Sequence, residues 1–308
     1  MQSSKVNKLS GKPSFWERHQ GALGYAFLLP SLIMFGIFMF YPMIYTFYLS
    51  FFNWNMISPK KTFVGLANYQ TLLTDPNTWK ILGNTGLYIL ILLVFNCLMP
   101  YLLSFVLSFI IKKGKGVYKA VFFLPSLISL VVGSILYTWI LNPVSGPLAL
   151  IMGKFGITLP FWSKTEGWVI AVLCIITTWK SFGYNFIVIL GGVGGISPDV
   201  IEAAKLDDVP LHRIFTDIVV PMSSATGIYL FIITIVQGLQ YVFTPIKVIT
   251  QGGPNYASSN LIYLSYHEAF TLYRTGVSAA GSVLTMILFM VLLALEFRFV
   301  EKGVYYEN

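Results

Sequence analysis

The sequence predicts an all-α membrane protein with six transmembrane helices. Hydrophobic residues make up 56% of the chain and charged residues only 10%, and the mean hydropathy is +0.73. A soluble domain has about 25% charged residues, so the composition excludes an ordinary soluble fold. Six apolar runs, separated by polar connections, are each long enough to cross a hydrocarbon core of about 30 Å.

The first apolar run, residues 22–49, is too long for the core of a signal peptide and shows no small-residue cleavage site. We therefore expect an uncleaved first span, preceded by a polar tail at residues 1–21. The connection after it is predicted to hold a short interfacial helix within residues 64–73. The other five spans are predicted at residues 81–111, 120–141, 168–190, 224–249 and 277–299. Together the six spans make a transmembrane domain at 22–299, and a C-terminal tail follows at 300–308.

Three connections are predicted to be irregular. Residues 142–167 are rich in Pro and Gly, and residues 250–276 form a second long loop. The run G-G-V-G-G at 191–195 lacks the Lys of a phosphate-binding loop, so we interpret it as a flexible exit from the fourth span. It opens a loop at 191–222 between the fourth and fifth spans.

The distribution of Lys and Arg predicts which side of the membrane each connection faces. Six spans place both termini on one side. That side has twelve Lys and Arg residues, in the two tails, the short connection at 112–119, the 191–222 loop and the last turn of the sixth span (Arg298), against seven on the other side. Because basic residues accumulate on the cytoplasmic side, we expect both termini and the 191–222 loop in the cytoplasm.

The 191–222 loop contains a compact charged segment in an otherwise very apolar half of the chain. A charged segment held between two membrane spans is typical of a contact with a soluble partner. It includes five of the twelve acidic residues, namely Asp199, Glu202, Asp207, Asp208 and Asp217.

Local signals predict a helix–turn–helix in this loop. Ser197 is a suitable N-cap and Pro198 a suitable first helical residue. The helix is expected to end at Leu206, with a turn at Asp207-Asp208, because Asp tolerates the backbone angles of turns. Pro210 is expected to begin the second helix.

The centre of the loop resembles the EAA loop of the permease subunits of binding-protein-dependent ABC importers. The resemblance rests on Glu202-Ala203-Ala204, Asp207, Ile218 and Pro221. In that family the loop forms a coupling helix that docks into a cleft of the ATPase subunit. The family pattern has Gly directly after the Asp, whereas this chain has Asp208. The resemblance implies coupling to an ATPase through Glu202, Ala203, Ala204, Asp207 and Asp208.

Two further segments extend the resemblance over nearly the whole chain. Residues 63–69 (F-V-G-L-A-N-Y) and 250–254 (T-Q-G-G-P) are similar to segments of carbohydrate importer permeases. The likeness is to the first of two paired permeases, the maltose or glycerol-3-phosphate type, in a compact six-span form. It implies the type I ABC importer permease fold with a cytoplasmic coupling helix.

The resemblance also implies a set of partners. These are a second, homologous permease subunit, a dimer of ATPase subunits, an extracytoplasmic solute-binding protein and a sugar or oligosaccharide substrate. The implied location is the cytoplasmic membrane of a bacterium or archaeon, with the spans in contact with lipid. This chain has no G-x-x-x-x-G-K-[ST] motif, so we expect no cofactor in it, with ATP and Mg²⁺ bound by the partner ATPase.

Polar side chains inside the predicted spans suggest a substrate pathway, because such residues are costly in lipid. Lys180 lies near the middle of the fourth span with no acidic residue at the same depth. It either faces water, a substrate or a partner subunit, or it reaches an interface from a kinked helix. Aromatic faces and amides suit a sugar, although the same groups also bond between helices. The candidates are Trp179, Lys180, Tyr184, Asn185, Gln237 and Gln240.

The alternative functions are a channel and an intramembrane enzyme of unknown substrate. All three His lie outside the predicted spans, and no span contains a carboxylate pair or an H-E-x-x-H motif, so the sequence shows no catalytic or metal-binding set. Cys97 and Cys174 lie in apolar runs and are interpreted as buried thiols. No filter-like repeat favours a channel. No basic helix with interleaved aromatics accompanies the net charge of +8, so no nucleic-acid partner is expected.

Overall fold

The computed structural model describes residues 20–299. In that part of the chain, five helices are long and apolar enough to cross a membrane, and the number is six when a bent pair of helices is counted as one span. The all-α class with six spans is thus confirmed. The predicted C-terminal tail, and all but the last two residues of the predicted N-terminal tail, lie outside the described residues. The spans are Phe27–Leu49, Pro76–Phe109, the pair Lys115–Leu127 and Leu130–Ile140, Trp168–Gly194, Ser224–Thr250 and Thr275–Glu296.

The chain divides into two units at Tyr48. The first unit contains the first span, in which helices Gln20–Phe35 and Tyr41–Leu49 are joined by a π-helical turn at Gly36–Phe40. Pro30 lies inside the first of these helices. Transmembrane helices tolerate such a proline because the freed backbone groups find other partners.

The second unit begins with a small hairpin and the predicted interfacial helix. Strand β1 (Phe52–Asn53) pairs antiparallel with β2 (Thr62–Phe63), and the helix follows at Ala67–Thr74. Asn68 of this helix donates from Nδ2 to the carbonyl oxygens of Ser50 and Phe52, at 2.8 and 3.0 Å. The hairpin and the short helix are therefore one hydrogen-bonded cap.

The second span is made of two helices, Pro76–Leu93 and Met99–Phe109, joined by a π-helical turn at Val94–Leu98. Asp75 caps its first turn by accepting the N–H of Asn77 at 2.9 Å. Proline at the first helical position suits this start, because its missing N–H would have no partner there.

The third span is not the continuous helix predicted at residues 120–141. It consists of helix Lys115–Phe123, a 3₁₀ turn at Leu124–Leu127 and helix Leu130–Ile140, with a bend of 99° at the break. Pro125 lies in the turn. A run of apolar residues does not reveal where its backbone breaks, which explains why the prediction was wrong.

The fourth span, Trp168–Gly194, is the most buried of the candidate spans in the described part of the chain. It packs against the second, third and fifth spans. Gly183 lets the third span approach, because a Cβ at that position would overlap the main-chain carbonyl of Phe122. Much of the apolar core therefore forms around this one helix.

The predicted flexible exit from the fourth span is also wrong. Residues 191–194 continue the helix. Gly192 packs against the fifth span, where an added Cβ would lie 2.5 Å from Thr226 Oγ1. These glycines thus allow close helix packing, and the 191–222 loop becomes irregular only from Gly195.

The two other segments predicted as loops each contain short helices. Residues 142–167 include helix Pro147–Gly153 and a 3₁₀ turn at Trp162–Lys164. Residues 250–276 include helix Leu261–Phe270, whose N-cap Asn260 accepts the N–H of Tyr263 at 2.8 Å.

The last two spans complete the second unit. The fifth span contains helices Ser224–Gln240 and Phe243–Pro245 and a π-helical turn at Ile246–Thr250. The sixth is the helix Thr275–Phe299. Just before it, Arg274 forms a two-bonded ion pair with the buried carboxylate of Glu268, at 2.7 and 2.6 Å.

Candidate functional site

The charged loop between the fourth and fifth spans folds as its local signals predict. A helix runs from Pro198 to Leu206, and the Ser197 hydroxyl accepts the N–H of Asp199 at 3.3 Å. We call this element the E-A-A helix. Asp199 in its first turn and Lys205 in its last turn both complement the helix dipole.

The E-A-A helix has a buried face and an exposed face. Ile201 and Ala204 are buried, with only 1% and 8% of their surface exposed. Glu202 and Ala203 are exposed, and so is Leu206, at 85%. Glu202 forms no hydrogen bond or ion pair within the described part of the chain. Glu202 and Leu206 are four residues apart, so they lie on the same exposed face, which is available to a partner.

The turn after the helix explains the departure from the family pattern. Asp208 has a φ of +54°, in the left-handed region. The N–H of Asp207 and of Val209 donate to the carbonyls of Ala203 and Ala204, both at 3.0 Å. Gly adopts this backbone conformation without strain, and Asp is one of the few other residues that tolerate it. Asp208 is therefore compatible with this left-handed turn.

The predicted second helix is short and irregular. Pro210 precedes helix Leu211–Arg213, a π-helical turn follows at Ile214–Val219, and Val220–Met222 leads to the fifth span. Its buried side chains join those of the E-A-A helix and of the second, fourth and fifth spans. This cluster comprises Tyr101, Phe105, Ile189, Val193, Ile196, Ile201, Ala204, Ile214, Val219 and Leu230.

Polar contacts reinforce that cluster at the end of the second span. The Tyr101 hydroxyl is bonded to Ser223 Oγ, and its ring meets Phe215 edge-on at 5.8 Å. Lys205 donates from Nζ to the carbonyl of Phe109 at 3.2 Å. The E-A-A helix thus shares one apolar cluster with the second, fourth and fifth spans, and Lys205 bonds the end of the second span.

Two of the six predicted pathway residues lie in a buried network. Asn185 and Gln237 exchange two side-chain hydrogen bonds, at 3.1 and 2.9 Å. Asn185 also donates to the carbonyl of Asn96 at 2.7 Å, and Asn96 donates to Ser181 at 3.1 Å. We call Asn96, Ser181, Asn185, Thr234 and Gln237 the amide cluster; all five are buried and they join the second, fourth and fifth spans.

Sequence reasoning missed Asn96, although an amide in the middle of an apolar span was a usable signal. Its Oδ1 atom is buried and has no hydrogen-bond partner among the described residues. Buried polar groups normally have partners, so this oxygen is an acceptor that could take one more hydrogen bond.

Two other candidates are exposed. The hydroxyl of Tyr184 lies 3.2 Å from that of Tyr229 on the fifth span. Tyr229 and Tyr241, which the sequence analysis did not single out, are both exposed. Gln240 is exposed as well. These tyrosines and the amide form an accessible polar and aromatic surface along the spans.

The last two candidates pack against the broken third span. The Lys180 ammonium donates to the carbonyl of Ser126, and the Ser126 hydroxyl donates to the carbonyl of Lys180 at 3.1 Å. Trp179 meets Tyr137 edge-on at 5.4 Å and covers Gly133. Lys180 thus bonds the main chain beside the break in the third span.

Among the described residues, no group of three or more His, Cys, Asp and Glu side chains is placed to hold a metal ion. Cys97 and Cys174 are both free thiols, Cys174 buried and Cys97 half-buried.

The fold and the loop together define a multi-pass membrane protein of the transport class. Residues 112–304 match the family of binding-protein-dependent transport system inner membrane components. That match covers more than half of the chain, so the chain belongs to this family.

Individual relatives match over most of the chain. It is 30% identical over 286 residues to the sn-glycerol-3-phosphate transport system permease protein UgpA of Agrobacterium fabrum, covering 92% of this chain and 96% of that protein. It is 31% identical over 272 residues to a probable ABC transporter permease protein of Pyrococcus horikoshii, covering 86% and 90%.

A solved structure has the same fold. It is a bacterial alginate ABC transporter in complex with an alginate pentasaccharide-bound periplasmic protein. The TM-score is 0.80 at 22% identity, and the match covers 95% of this chain and 99% of that chain. The predicted ABC importer permease fold is thereby confirmed.

Proposed function

We propose that this chain is the membrane subunit of an ATP-driven importer of sugars or related polyhydroxylated solutes, where it forms half of the translocation pathway. The single observation that supports this best is the E-A-A helix. It is folded and anchored on one face and presents unpaired Glu202 and exposed Leu206 on the other. Such a face is suited to a groove on a soluble ATPase.

The anchoring explains how force would reach the spans. The partner ATPase binds ATP and Mg²⁺, and its closure displaces the E-A-A helix. Because Ile201, Ala204 and Lys205 attach that helix to the second, fourth and fifth spans, the displacement tilts these spans together. Alternating access then follows from rocking of packed helices, with no chemistry in this chain.

The remaining partners follow from the same proposal. A second, homologous permease supplies the other half of the pathway, and a solute-binding protein delivers the substrate from outside the cytoplasm. The E-A-A helix and both termini face the cytoplasm, in agreement with the excess of Lys and Arg on that side.

The exposed tyrosines support a sugar as the substrate. Tyr184, Tyr229 and Tyr241 offer ring faces for the apolar side of a pyranose and hydroxyls for its edge, and Gln240 adds an amide. The names of relatives include sn-glycerol-3-phosphate and alginate, both polyhydroxylated and acidic. We assign Asn185 and Gln237 to the wall behind this surface and Trp179 and Lys180 to the support of the third span.

Reconstitution tests the proposal. The chain is co-expressed with the ATPase, second permease and binding protein encoded beside its gene, and the complex is placed in proteoliposomes. We expect ATP hydrolysis to rise when binding protein and the cognate sugar are added together, and a Glu202→Ala complex to lose that stimulation. The proposal would be contradicted if the chain purified without any ATPase. It would also be contradicted if the Glu202→Ala complex kept the full stimulation of ATP hydrolysis.

A further inference from the structure

The second span has two halves that contact different parts of the molecule. The half Met99–Phe109 packs with the E-A-A helix, because Tyr101 and Phe105 belong to the same apolar cluster as that helix. The carbonyl of Phe109 also accepts the hydrogen bond from Lys205 of the E-A-A helix at 3.2 Å. This half of the span therefore follows the E-A-A helix when that helix is displaced.

The other half, Pro76–Leu93, is bonded to the connection between the fifth and sixth spans. The Tyr88 hydroxyl donates to the carbonyl of Ser258 at 2.9 Å, and Asn84 donates from Nδ2 to the carbonyl of Tyr256 at 2.9 Å. The second span thus joins the E-A-A helix at one of its ends to this connection at the other.

The backbone between the two halves is irregular. A π-helical turn at Val94–Leu98 is followed at once by Pro100, which is buried. Proline has no N–H, so Pro100 has no donor for the carbonyl of Asn96, four residues before it. Sharp bends in helices occur at prolines and at π-helical turns, and this segment has both. Residues 94–100 are therefore the part of the second span that bends most easily.

The amide cluster bonds the main chain of this irregular segment. The carbonyl of Asn96 accepts Nδ2 of Asn185 at 2.7 Å and the hydroxyl of Thr234 at 3.5 Å. The fourth and fifth spans thus supply bonds that Pro100 cannot. Within residues 20–299, the Oδ1 atom of Asn96 has no hydrogen-bond partner. A free acceptor at this place allows a donor of the cluster to change partners, without being left unbonded, when the spans move.

We propose that residues 94–100 are a hinge in the second span and that Asn185 and Thr234 are positioning residues that hold the hinge in the observed state. The proposal rests on the transport function proposed above, in which the partner ATPase displaces the E-A-A helix. The displacement carries the half Met99–Phe109 with it and bends the span at the hinge. The other half then moves the connection between the fifth and sixth spans. A movement that begins at the ATPase thereby reaches the opposite side of the membrane.

Hydrogen-exchange mass spectrometry of the full chain in nanodiscs tests the hinge without any partner. We expect Pro100→Ala to slow exchange at residues 94–102 by about tenfold or more, because alanine supplies the missing N–H and favours a continuous helix. Asn185→Ala should instead speed exchange there by about fivefold, since one hydrogen bond between membrane helices contributes about 1 kcal/mol. The matched control is Pro30→Ala, at an exposed proline inside the first span, which should leave this exchange unchanged.

The proline variants are then compared in the complete complex with the ATPase, second permease and binding protein. We expect Pro100→Ala to lower the stimulation of ATP hydrolysis by binding protein and sugar about tenfold, because a stiffer second span transmits less of the displacement. The complex with Pro30→Ala should keep the full stimulation.

Three outcomes would overturn the proposal. Wild-type exchange at 94–102 no faster than in Pro76–Leu93 would mean that the segment does not open. Equally faster exchange along the whole second span in Asn185→Ala would mean that the amide stabilises the fold in general. Full stimulation in the Pro100→Ala complex would mean that transport does not use the bend. A wild-type complex without stimulation would instead contradict the proposed transport function, and the exchange measurement on the chain alone separates the two failures.

Discussion

The E-A-A helix and the amide cluster are both polar regions in an apolar chain, but they differ in what satisfies their polar groups. The amides of Asn185 and Gln237 bond each other and the main chain, deep between three spans. Glu202 has no partner in the described chain, although its helix is firmly anchored. A polar group that is bonded inside the protein contributes to the fold, whereas an exposed carboxylate that only water solvates is available to a partner.

The largest expected effect is a loss of transport when the exposed face of the E-A-A helix is changed. Glu202→Ala should lower solute-stimulated transport by about thirtyfold or more, since removal of one partner of a charged pair at a buried interface costs about 2–5 kcal/mol. The control is Glu166→Ala, which breaks an exposed ion pair with Lys80, whose N–O distance is 2.7 Å. Such surface pairs contribute about 0–1 kcal/mol, so the control should transport normally. Equal transport by the two variants would mean that Glu202 contributes no more to transport than an ordinary exposed carboxylate.

A packing change should affect the fold and not the partner contact. Gly183→Ala places a Cβ against the main chain of Phe122, whereas Gly191→Ala on the same helix meets nothing within 4 Å. We expect Gly183→Ala to destabilise the chain by about 1–3 kcal/mol, as overpacking does. Thermal unfolding in detergent measures the difference, and identical melting of the two variants would refute the close contact.

The amide cluster offers the next test. Asn185→Ala leaves the amide of Gln237 buried without its partner, at a cost of about 1–3 kcal/mol. Gln240→Ala changes an exposed amide outside the amide cluster. It should leave the melting temperature unchanged and weaken sugar transport. If Asn185→Ala melted normally but altered the apparent affinity for sugar, the cluster would belong to the pathway instead of the wall.

Lys180 tests whether a single charge supports the broken third span. Lys180→Met keeps the length of the side chain but removes the bond to the Ser126 carbonyl. We expect a loss of about 1 kcal/mol, typical of hydrogen bonds between membrane helices. Accessibility of a cysteine at Ser129 to a membrane-impermeant maleimide should rise at the same time. A stable Lys180→Met protein with reduced uptake of acidic sugars would favour a substrate role.

The smallest effect concerns the turn after the E-A-A helix. Asp208→Gly should stabilise the chain by up to about 1 kcal/mol, because Gly adopts the positive φ of this residue without strain. Asp207→Gly, where φ is −83°, should not stabilise it. A loss of stability in Asp208→Gly would mean that its carboxylate has a role of its own.

The two regions also differ in how well the sequence predicted them. The E-A-A helix depends on signals within a few residues of each other, such as Ser197, Pro198 and Asp208, so its cap, length and turn were predictable. The amide cluster depends on Asn96, Asn185 and Gln237, which are far apart in sequence. Their partners follow from the packing of the spans, which the apolar pattern does not specify.

The break in the third span shows the same limit. Pro125 and the small residues around it were visible, but proline is common in transmembrane helices and does not always break them. Lys180 and Gly183 of another helix bond or accommodate the main chain beside the 99° bend. Likewise, Gly191–Gly195 suggested flexibility, whereas Gly192 is needed for contact with Thr226.

Cross-linking from the exposed face of the E-A-A helix tests the central claim most directly. Leu206→Cys and Ile57→Cys are made in a chain without Cys97 and Cys174, and both positions are strongly exposed, at 85% and 75%. Ile57 lies in the connection between the first and second spans, on the predicted opposite side. In membranes that contain the complete complex, a short maleimide photo-cross-linker should join Leu206→Cys to the ATPase and Ile57→Cys to no ATPase. A cross-link from Ile57→Cys, or none from Leu206→Cys in a complex that co-purifies intact, would contradict the coupling role of this helix.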